Sequence, residues 1–347
     1  MTDSGYKKGA RRCNSYPKQS KSNTPMVRSF SQIVKPILKS LPEHDYPVLS
    51  SRRFFEIWLT FILDQGLMSM RDLFFKLNHT GISVDISTFS KACKNRDNHR
   101  FCRIYTQLIR TLKQRHHPDA MMLMPIDSTV VTLTSRLFWQ QSYHRVKLLA
   151  GFNQQQGWSS ECLIHFGQGH DAKFSGYLPS MIPENGIGIM DRGFADWHFI
   201  DELSEIGTYF VVRIKNSMKV NLNHDRYRVV TFCDLESRCE FRLATNLVDF
   251  SNEEIGELYR KRWQIELLWK FLKMHLKLDQ LITKNQNGVA IQIYMVLIAY
   301  AILQLMELPQ FYSQTLLDKL RYLQVVLGRY GSISHWSYDL LPETLVA

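Results

Sequence analysis

Residues 121–129 read Met-Met-Leu-Met-Pro-Ile-Asp-Ser-Thr, an apolar run that ends in an aspartate and two small polar residues. The run predicts a buried strand over 121–126. Residues 186–193, Gly-Ile-Gly-Ile-Met-Asp-Arg-Gly, repeat the pattern. Each strand therefore presents an aspartate, Asp127 or Asp191, at its carboxyl end, where ligands and metal ions gather in open α/β sheets. Taken alone, an aspartate in such a position is more often a turn residue or a helix cap than a catalytic group.

The segments around these two runs predict the rest of the sheet. We expect further strands over 146–152, 162–166 and 209–214, and helices over 173–181 and 196–206. Three strands followed by helix, strand, helix and strand is the order of an RNase H-like α/β sheet. Apolar and polar residues then alternate over 215–247, which predicts an inserted β segment before the next helix.

That next helix has a clear beginning. Ser251 is a predicted N-cap with Glu254 at the capping-box position, and the helix is expected to run over 255–278. At about 100° per residue, one of its faces presents a hydroxyl, a guanidinium, a carboxylate and an ammonium within roughly 60°. These belong to Tyr259, Arg262, Glu266 and Lys273. A solvated stripe with an Arg262–Glu266 ion pair explains the pattern as well.

The remaining chain predicts a helical part on either side of the sheet. We divide it into a flexible basic tail (1–28), a helical DNA-binding domain (29–117), the catalytic domain (118–310) and a helical C-terminal segment (311–347). Ser87 is a predicted N-cap of a helix that exposes Lys91, Lys94 and Arg96. A helix-turn-helix that contacts DNA and an ordinary helical bundle both fit this spacing.

Composition narrows the class of protein. The 347 residues carry a formal net charge of +11, which favours a polyanionic partner such as nucleic acid, although a solvated basic surface is the alternative. Six scattered cysteines without a CxxC pair, and a polar N-terminus, predict a cytoplasmic protein with reduced thiols. The apolar stretch 289–306 predicts a buried core helix in preference to a membrane span.

The motifs together resemble one family. Tyr259, Arg262, Glu266 and Lys273 match the Tyr-x2-Arg-x3-Glu-x6-Lys signature of DDE transposases of the IS-four group, a family of bacterial insertion-sequence enzymes. Residues 127–129 and 191–194 are similar to the blocks around its first and second aspartates, and 209–215 to the strand that follows. The resemblance covers 120–310 and implies cut-and-paste transposition with Asp127, Asp191 and Glu266 as the catalytic, metal-binding carboxylates.

The same resemblance and the chemistry of the residues define the expected reaction. Three carboxylates without His or Cys ligands suit Mg2+ or Mn2+, with two ions about 3.5–4 Å apart. Asp127 is expected to bridge both ions, and Tyr259, Arg262 and Lys273 to contact DNA phosphates. Water would cut the transposon ends, and the freed 3′-hydroxyl would attack target DNA. The expected partners are double-stranded DNA, as terminal inverted repeats and target, and a second copy in a homodimeric synaptic complex.

Some alternatives stay open at this level. An RNase H-like nuclease that cuts without joining would use the same carboxylates, and a domesticated DNA-binding protein could retain them without activity. Some family members stack a flipped base on a Trp well upstream of the final Glu. Here only Trp197 and Trp263 lie between Asp191 and Glu266, which puts that mechanism in doubt. Arg213 and Lys215 are interpreted as ordinary surface charges, with contact to DNA as the alternative.

Overall fold

The apolar runs form strands of one mixed sheet in the computed structural model, which describes residues 25–114, 121–133, 144–153, 155–219, 226–233, 240–309, 312–329 and 333. The predicted tail over 1–28 falls mostly outside these ranges. The strands are β1 (Met122–Thr132), β2 (Arg145–Asn153), β3 (Trp158–Ser159), β4 (Leu163–Phe166), β5 (Gly186–Met190), β6 (Tyr209–Ile214), β7 (Arg228–Cys233) and β8 (Glu240–Thr245). Their order is β3-β2-β1-β5-β6-β8-β7, with β4 also paired to β2.

Strand directions divide the sheet into three parts. β1, β2 and β4 are antiparallel neighbours, whereas β5 and β6 run parallel to β1. The pair β8–β7 adds antiparallel strands to the free edge of β6. β7 and β8 therefore extend the sheet that carries the two aspartates.

β1 is longer than the sequence predicted. The expected strand ended at Ile126, but Asp127 lies inside a strand that continues to Thr132. The reason is a change of partner: β1 pairs with β5 up to Ile126, and from there to Thr132 it pairs with β2. Asp127 is thus held by a ladder of backbone hydrogen bonds on its β2 side, which makes its position more rigid than a turn would.

The helices surround the sheet and are α1 (Pro25–Ser40), α2 (Ser51–Leu63), α3 (Met70–His79), α4 (Ile86–Asn95), α5 (His99–Lys113), α6 (Trp197–Glu205), α7 (Asn252–Arg260), α8 (Trp263–Leu276), α9 (Gln286–Leu305) and α10 (Leu316–Gly328). Two short 3-10 helices, Asp171–Tyr177 and Pro179–Met181, precede β5. The predicted N-cap of α4 is wrong by two residues. Asp85 caps this helix, and its carboxylate accepts the backbone N–H of Ser87.

α9 is the central helix of the core. It is apolar on all sides, and by length and composition it could cross a membrane, yet most of it is buried inside the protein. Its surface contacts helices from both halves of the chain, namely α1, α2, α4, α5, α8 and α10. The predicted core helix over 289–306 is therefore confirmed. The helices before the sheet share their hydrophobic core with α8 and α9, and the predicted division into domains stays a prediction.

The two faces of the sheet have different coverings. Val211 and Ile189 face α7, whereas Phe210 and Met190 pack with α6 and the 3-10 helices. Because side chains alternate along a strand, neighbouring residues of β1 also face opposite layers. Asp127 pairs with Ala150, which shares a hydrophobic cluster with the buried residues of α8. Its neighbour Ser128 pairs with Leu149, which shares a different hydrophobic cluster with the buried residues of α6.

Lys277 joins α8 to the end of α2. It lies in the left-handed backbone region at the C-cap of α8 (φ 58°) and is only 2% exposed. Its ammonium donates to the carbonyl oxygens of Phe61, Asp64 and Leu67, where the negative end of the α2 dipole lies. Burial lowers the pKa of Lys277 to about 8, so the group still carries its charge at neutral pH.

We expect Lys277→Met to lower the free energy of unfolding by about 3 kcal/mol, because three carbonyl groups in the last turn of α2 and the connection after it lose their donor. Urea denaturation followed by circular dichroism measures the change. Lys270→Met is the matched control, since Lys270 is exposed on α8, and should change stability by less than about 0.5 kcal/mol. Equal effects of the two substitutions would contradict the assignment.

Candidate active site

The two aspartates lie side by side at the end of the parallel pairing. Ile126 pairs with Met190, so Asp127 and Asp191 are the next residues on adjacent strands, whose backbones are about 4.8 Å apart. The backbone N–H of Arg192 donates to Asp191 Oδ1 at 2.6 Å and fixes that carboxylate at the turn. Both aspartates are half-buried, which keeps them accessible to a ligand.

The third carboxylate comes from α8. The predicted capping box of Ser251 and Glu254 is present at the start of α7. The single helix predicted over 255–278 is wrong, however, since α7 ends at Arg260 and α8 begins at Trp263 after a turn at Lys261 and Arg262. As predicted, α8 packs through one apolar arc, formed by Ile265, Leu268, Trp269, Leu272 and Leu276. This anchorage holds Glu266 over β1.

Arg262 is the electrostatic centre of the site. Its Nη2 donates to Glu266 Oε1 at 2.6 Å, and both side chains are largely shielded from solvent, with exposures of 17% and 29%. The fields of Asp127 and Asp191 also act on this guanidinium. Arg262 thus pairs with Glu266, and the charges of Asp127 and Asp191, which lie on adjacent strands, also act on it.

The surroundings of Asp127 disfavour its ionised form. Burial raises the pKa of Asp127 to about 6, and the negative charges of Glu266 and Asp171 add to the effect, while Arg262 and a hydrogen bond from the backbone of Ser128 oppose it. Arg262 compensates only part of the negative charge. Such a crowded, half-buried carboxylate is costly without a further cation.

The remaining residues of the signature lie around this centre. Burial and the negative charge of Asp191 raise the pKa of Tyr259, and the positive charges of Arg262 and Arg213 oppose the shift. Arg213 also stacks on Phe241, 4.2 Å from the ring centroid, so its interpretation as an ordinary surface charge is wrong. Lys273 Nζ donates to the carbonyl oxygen of Val130 at 3.2 Å, three residues beyond Asp127 on β1.

A fourth acid was missed by the sequence analysis. Asp171 Oδ1 accepts hydrogen bonds from Ser128 Oγ at 2.7 Å and from Lys147 Nζ at 2.8 Å. Lys147 is only 12% exposed, and it also donates to the carbonyl oxygen of Gly169. A lysine within the apolar run of β2 was the one available signal, because such a residue needs a buried partner.

The donor set suits a hard cation, although the side chains are not arranged as a finished metal site. Within the described ranges, no three His, Cys, Asp or Glu side chains are grouped so that they could hold one ion. Glu266 is paired with Arg262 instead. Three oxygen-only ligands with uncompensated negative charge fit Mg2+ or Mn2+, provided that Glu266 exchanges its partner when the ion arrives.

The predicted DNA-contacting residues of α4 have different environments. Lys91 and Lys94 are exposed on this helix. Arg96 is 7% exposed, and the prediction of an exposed DNA contact there is wrong. Its guanidinium donates to the carbonyl oxygens of Leu49 and Ser50 and stacks on the rings of Tyr46 and Phe54, so Arg96 joins α4 to the start of α2.

The family and the proteins to which this chain is similar are described as transposases. The family profile described as "Transposase DDE domain" matches residues 120–302. A protein of Synechocystis sp. described as a transposase for insertion sequence element IS4SA is 46% identical over 335 residues, 91% of this chain and 99% of that protein. A Geobacillus stearothermophilus protein described as a transposase for insertion sequence element IS5377 is 26% identical over 215 residues, 52% of this chain and 56% of that protein.

The fold is similar to that of the piggyBac transposase in its synaptic complex with hairpin DNA. The TM-score is 0.52 at 12% sequence identity, and the match covers 92% of this chain and 80% of that chain. At this identity the likeness concerns the fold alone. It confirms the mixed α/β core with a central sheet that the order of elements predicted.

We expect Asp127→Asn to raise the free energy of unfolding at neutral pH by about 2 kcal/mol, because it removes a negative charge that is buried among other carboxylates. Differential scanning calorimetry in a chelating buffer measures the change. Asp249→Asn, at an exposed position, is the control and should leave stability within about 0.5 kcal/mol. A destabilised Asp127→Asn would show that the carboxylate is well compensated by its surroundings.

Proposed function

The chain belongs to the transposases with a DDE domain, and from this premise we propose that it cleaves the ends of its insertion sequence and joins them to target DNA. This membership confirms the resemblance to DDE transposases that the sequence motifs predicted. The chain is thus a transposase of an insertion sequence, and the cleavage and strand-transfer steps are the part that we propose.

The position of Arg262 among Asp127, Asp191 and Glu266 carries this proposal. Asp127 on β1 and Asp191 after β5 lie on adjacent strands, and Arg262, which pairs with Glu266 on α8, is within electrostatic range of both. No hydrophobic or structural need brings three acids to one half-buried place, and the arrangement costs stability. Acids kept together at such a cost are typical of a site that binds divalent cations for phosphoryl transfer.

Asp127, Asp191 and Glu266 would hold Mg2+ or Mn2+. When bound, such ions activate an attacking water or 3′-hydroxyl and stabilise the leaving oxygen of an in-line displacement. Asp127 lies on the strand next to Asp191, and the charge of Glu266 acts on it, so it would hold the metal together with both. Arg262 would turn from Glu266 to a phosphate of the DNA, for which its planar guanidinium provides two parallel donors.

Other residues of the site are suited to hold the DNA backbone. The charges of Asp191 and Arg213 both act on the Tyr259 hydroxyl, and Tyr259 and Arg213 would both donate to the DNA backbone. Lys273 lies on the opposite side, over β1. These contacts would position the scissile phosphate without reading sequence. Because two ends must be cut and joined together, we propose that the working complex contains two copies of the chain.

The exposed face of α4 is the proposed DNA contact outside the catalytic site. Lys91 and Lys94 lie on this face with Ser87, Ser90 and Asn95. α3 precedes α4 after a short turn and packs against it, which is the arrangement of a helix-turn-helix. Lys91 and Lys94 would contact phosphates, whereas Arg96 is excluded by its burial.

We expect a plasmid that carries the terminal repeats to be cut at the repeat ends with Mg2+ or Mn2+, and not with EDTA. Asp127→Asn, Asp191→Asn and Glu266→Gln should each reduce cutting to background while binding of the ends persists, because these substitutions remove metal ligands and leave the fold intact. Gel analysis of the cleaved ends and mobility shifts measure the two activities.

The products separate the remaining alternatives. Cutting followed by joining to a target plasmid supports transposition, and cutting without joining would identify a nuclease. Specific binding without any cutting in either metal would contradict the proposal and identify a DNA-binding relative that has lost catalysis. Asp249→Asn should cut like the wild-type protein.

We expect the Lys91→Ala, Lys94→Ala double variant to bind repeat DNA more weakly and to show a salt dependence whose slope, log K against log salt, is smaller by about 2. Each lysine that contacts a phosphate releases about one counterion. Fluorescence anisotropy measures the slope. Salt concentrations of about 50 to 200 mM are suitable, because the affinity for DNA falls strongly over this range. Arg96→Met should instead lower stability and leave the slope unchanged. An unchanged slope in the double variant would remove α4 from the interface.

A further inference from the structure

Asp171 lies directly behind the catalytic face. Asp127 points toward α8, whereas Ser128, the next residue of β1, points to the opposite face of the sheet, where it donates to Asp171. Lys147 reaches the same carboxylate oxygen from β2. Asp171 itself begins the first 3-10 helix. One carboxylate thus connects β1, β2 and the segment that leads to β5.

Asp171 also lies against the turn that carries the second aspartate. A Cβ atom placed on Gly193 would be 3.1 Å from Asp171 Oδ2, closer than most real contacts. Gly193 follows Asp191 by two residues. The small residue at this position therefore lets the turn after β5 pack directly on Asp171, so the same side chain supports both the strand that contains Asp127 and the turn that contains Asp191.

The buried charge is well compensated. Asp171 is 27% exposed and Lys147 is 12% exposed, and the ammonium has a second acceptor in the Gly169 carbonyl oxygen, 2.5 Å away. The Lys147 ammonium also lies 5.7 Å from the ring centroid of Phe174. Such a paired, hydrogen-bonded cluster holds one geometry, because breaking it would leave an unpaired charge in a shielded place.

We propose that Asp171 is a positioning residue for the metal-binding aspartates: through Ser128, Lys147 and the contact with Gly193 it fixes the spacing of Asp127 and Asp191. The inference rests on the proposed function, because spacing matters only if the two carboxylates share a ligand. Asp171 does not contact the reacting atoms in this role. It acts on them through β1 and the turn after β5, as residues behind metal ligands do.

Ser128→Ala is the most selective test, since it removes the connection to β1 and keeps the Asp171–Lys147 ion pair. We expect its Mn2+ affinity, measured by electron paramagnetic resonance on the DNA-free protein, to fall by about 10-fold or more. Ser128→Thr retains the hydroxyl and should recover most of the affinity. A Ser128→Ala protein with wild-type Mn2+ affinity would overturn the proposal.

Two further variants separate positioning from stability. Lys147→Met combined with Asp171→Asn removes both charges, so that no unpaired charge remains, and should lower Mn2+ affinity by about 10- to 100-fold. Lys76→Met is the matched control. Lys76 forms an ion pair with Asp64, with Nζ 2.5 Å from Oδ2, and this pair lies outside the site. It should lower the melting temperature without changing Mn2+ affinity.

The results distinguish failure of this inference from failure of the proposed function. If the wild-type protein binds no Mn2+ and cuts no repeat DNA, the proposed function fails. If it binds Mn2+ and cuts, but the double variant retains full affinity, only the positioning role of Asp171 fails. Equal losses of affinity in the double variant and in Lys76→Met would likewise overturn the inference, since they would trace the loss to general destabilisation.

Discussion

Arg262 pairs with Glu266 and is within electrostatic range of Asp127 and Asp191, and the rest of the proposed catalytic face is arranged around that crowding of charge. A guanidinium beside three acids can balance only part of their charge, so the site needs a rigid frame to keep them together. The backbone ladder of β1 with β2 holds Asp127, and the turn after β5 holds Asp191. The buried arc of α8 holds Glu266.

The frame gains its rigidity from layers on both sides of the sheet. On the side of Asp127 and Glu266, α8 packs on α9, which also contacts α1, α2, α4 and α5. This shared core joins the helices that precede the sheet to the helix that carries Glu266. On the other side, Asp171 and Lys147 form a polar cluster next to the apolar packing of α6. The large apolar burial offsets the cost of the carboxylates.

Much of the site could be predicted because its residues follow strong local patterns. Asp127 and Asp191 come at the carboxyl end of parallel pairing, and Ser251 with Glu254 forms a capping box. The rest depends on contacts between distant residues. Asp171 bonds to residues 24 and 43 positions away, and Arg96 is buried by Tyr46 and Phe54. The break between α7 and α8 has no Gly or Pro to mark it, and β1 lengthens only because β2 pairs with it.

Anomalous scattering from Mn2+ in crystals of the protein with a terminal-repeat DNA tests the central claim most directly. The account predicts ions about 2.1 Å from carboxylate oxygens of Asp127, Asp191 and Glu266, with Arg262 released from Glu266 and turned to a phosphate. Ions bound elsewhere, with Glu266 still paired to Arg262, would contradict the claim that these three acids form the metal site.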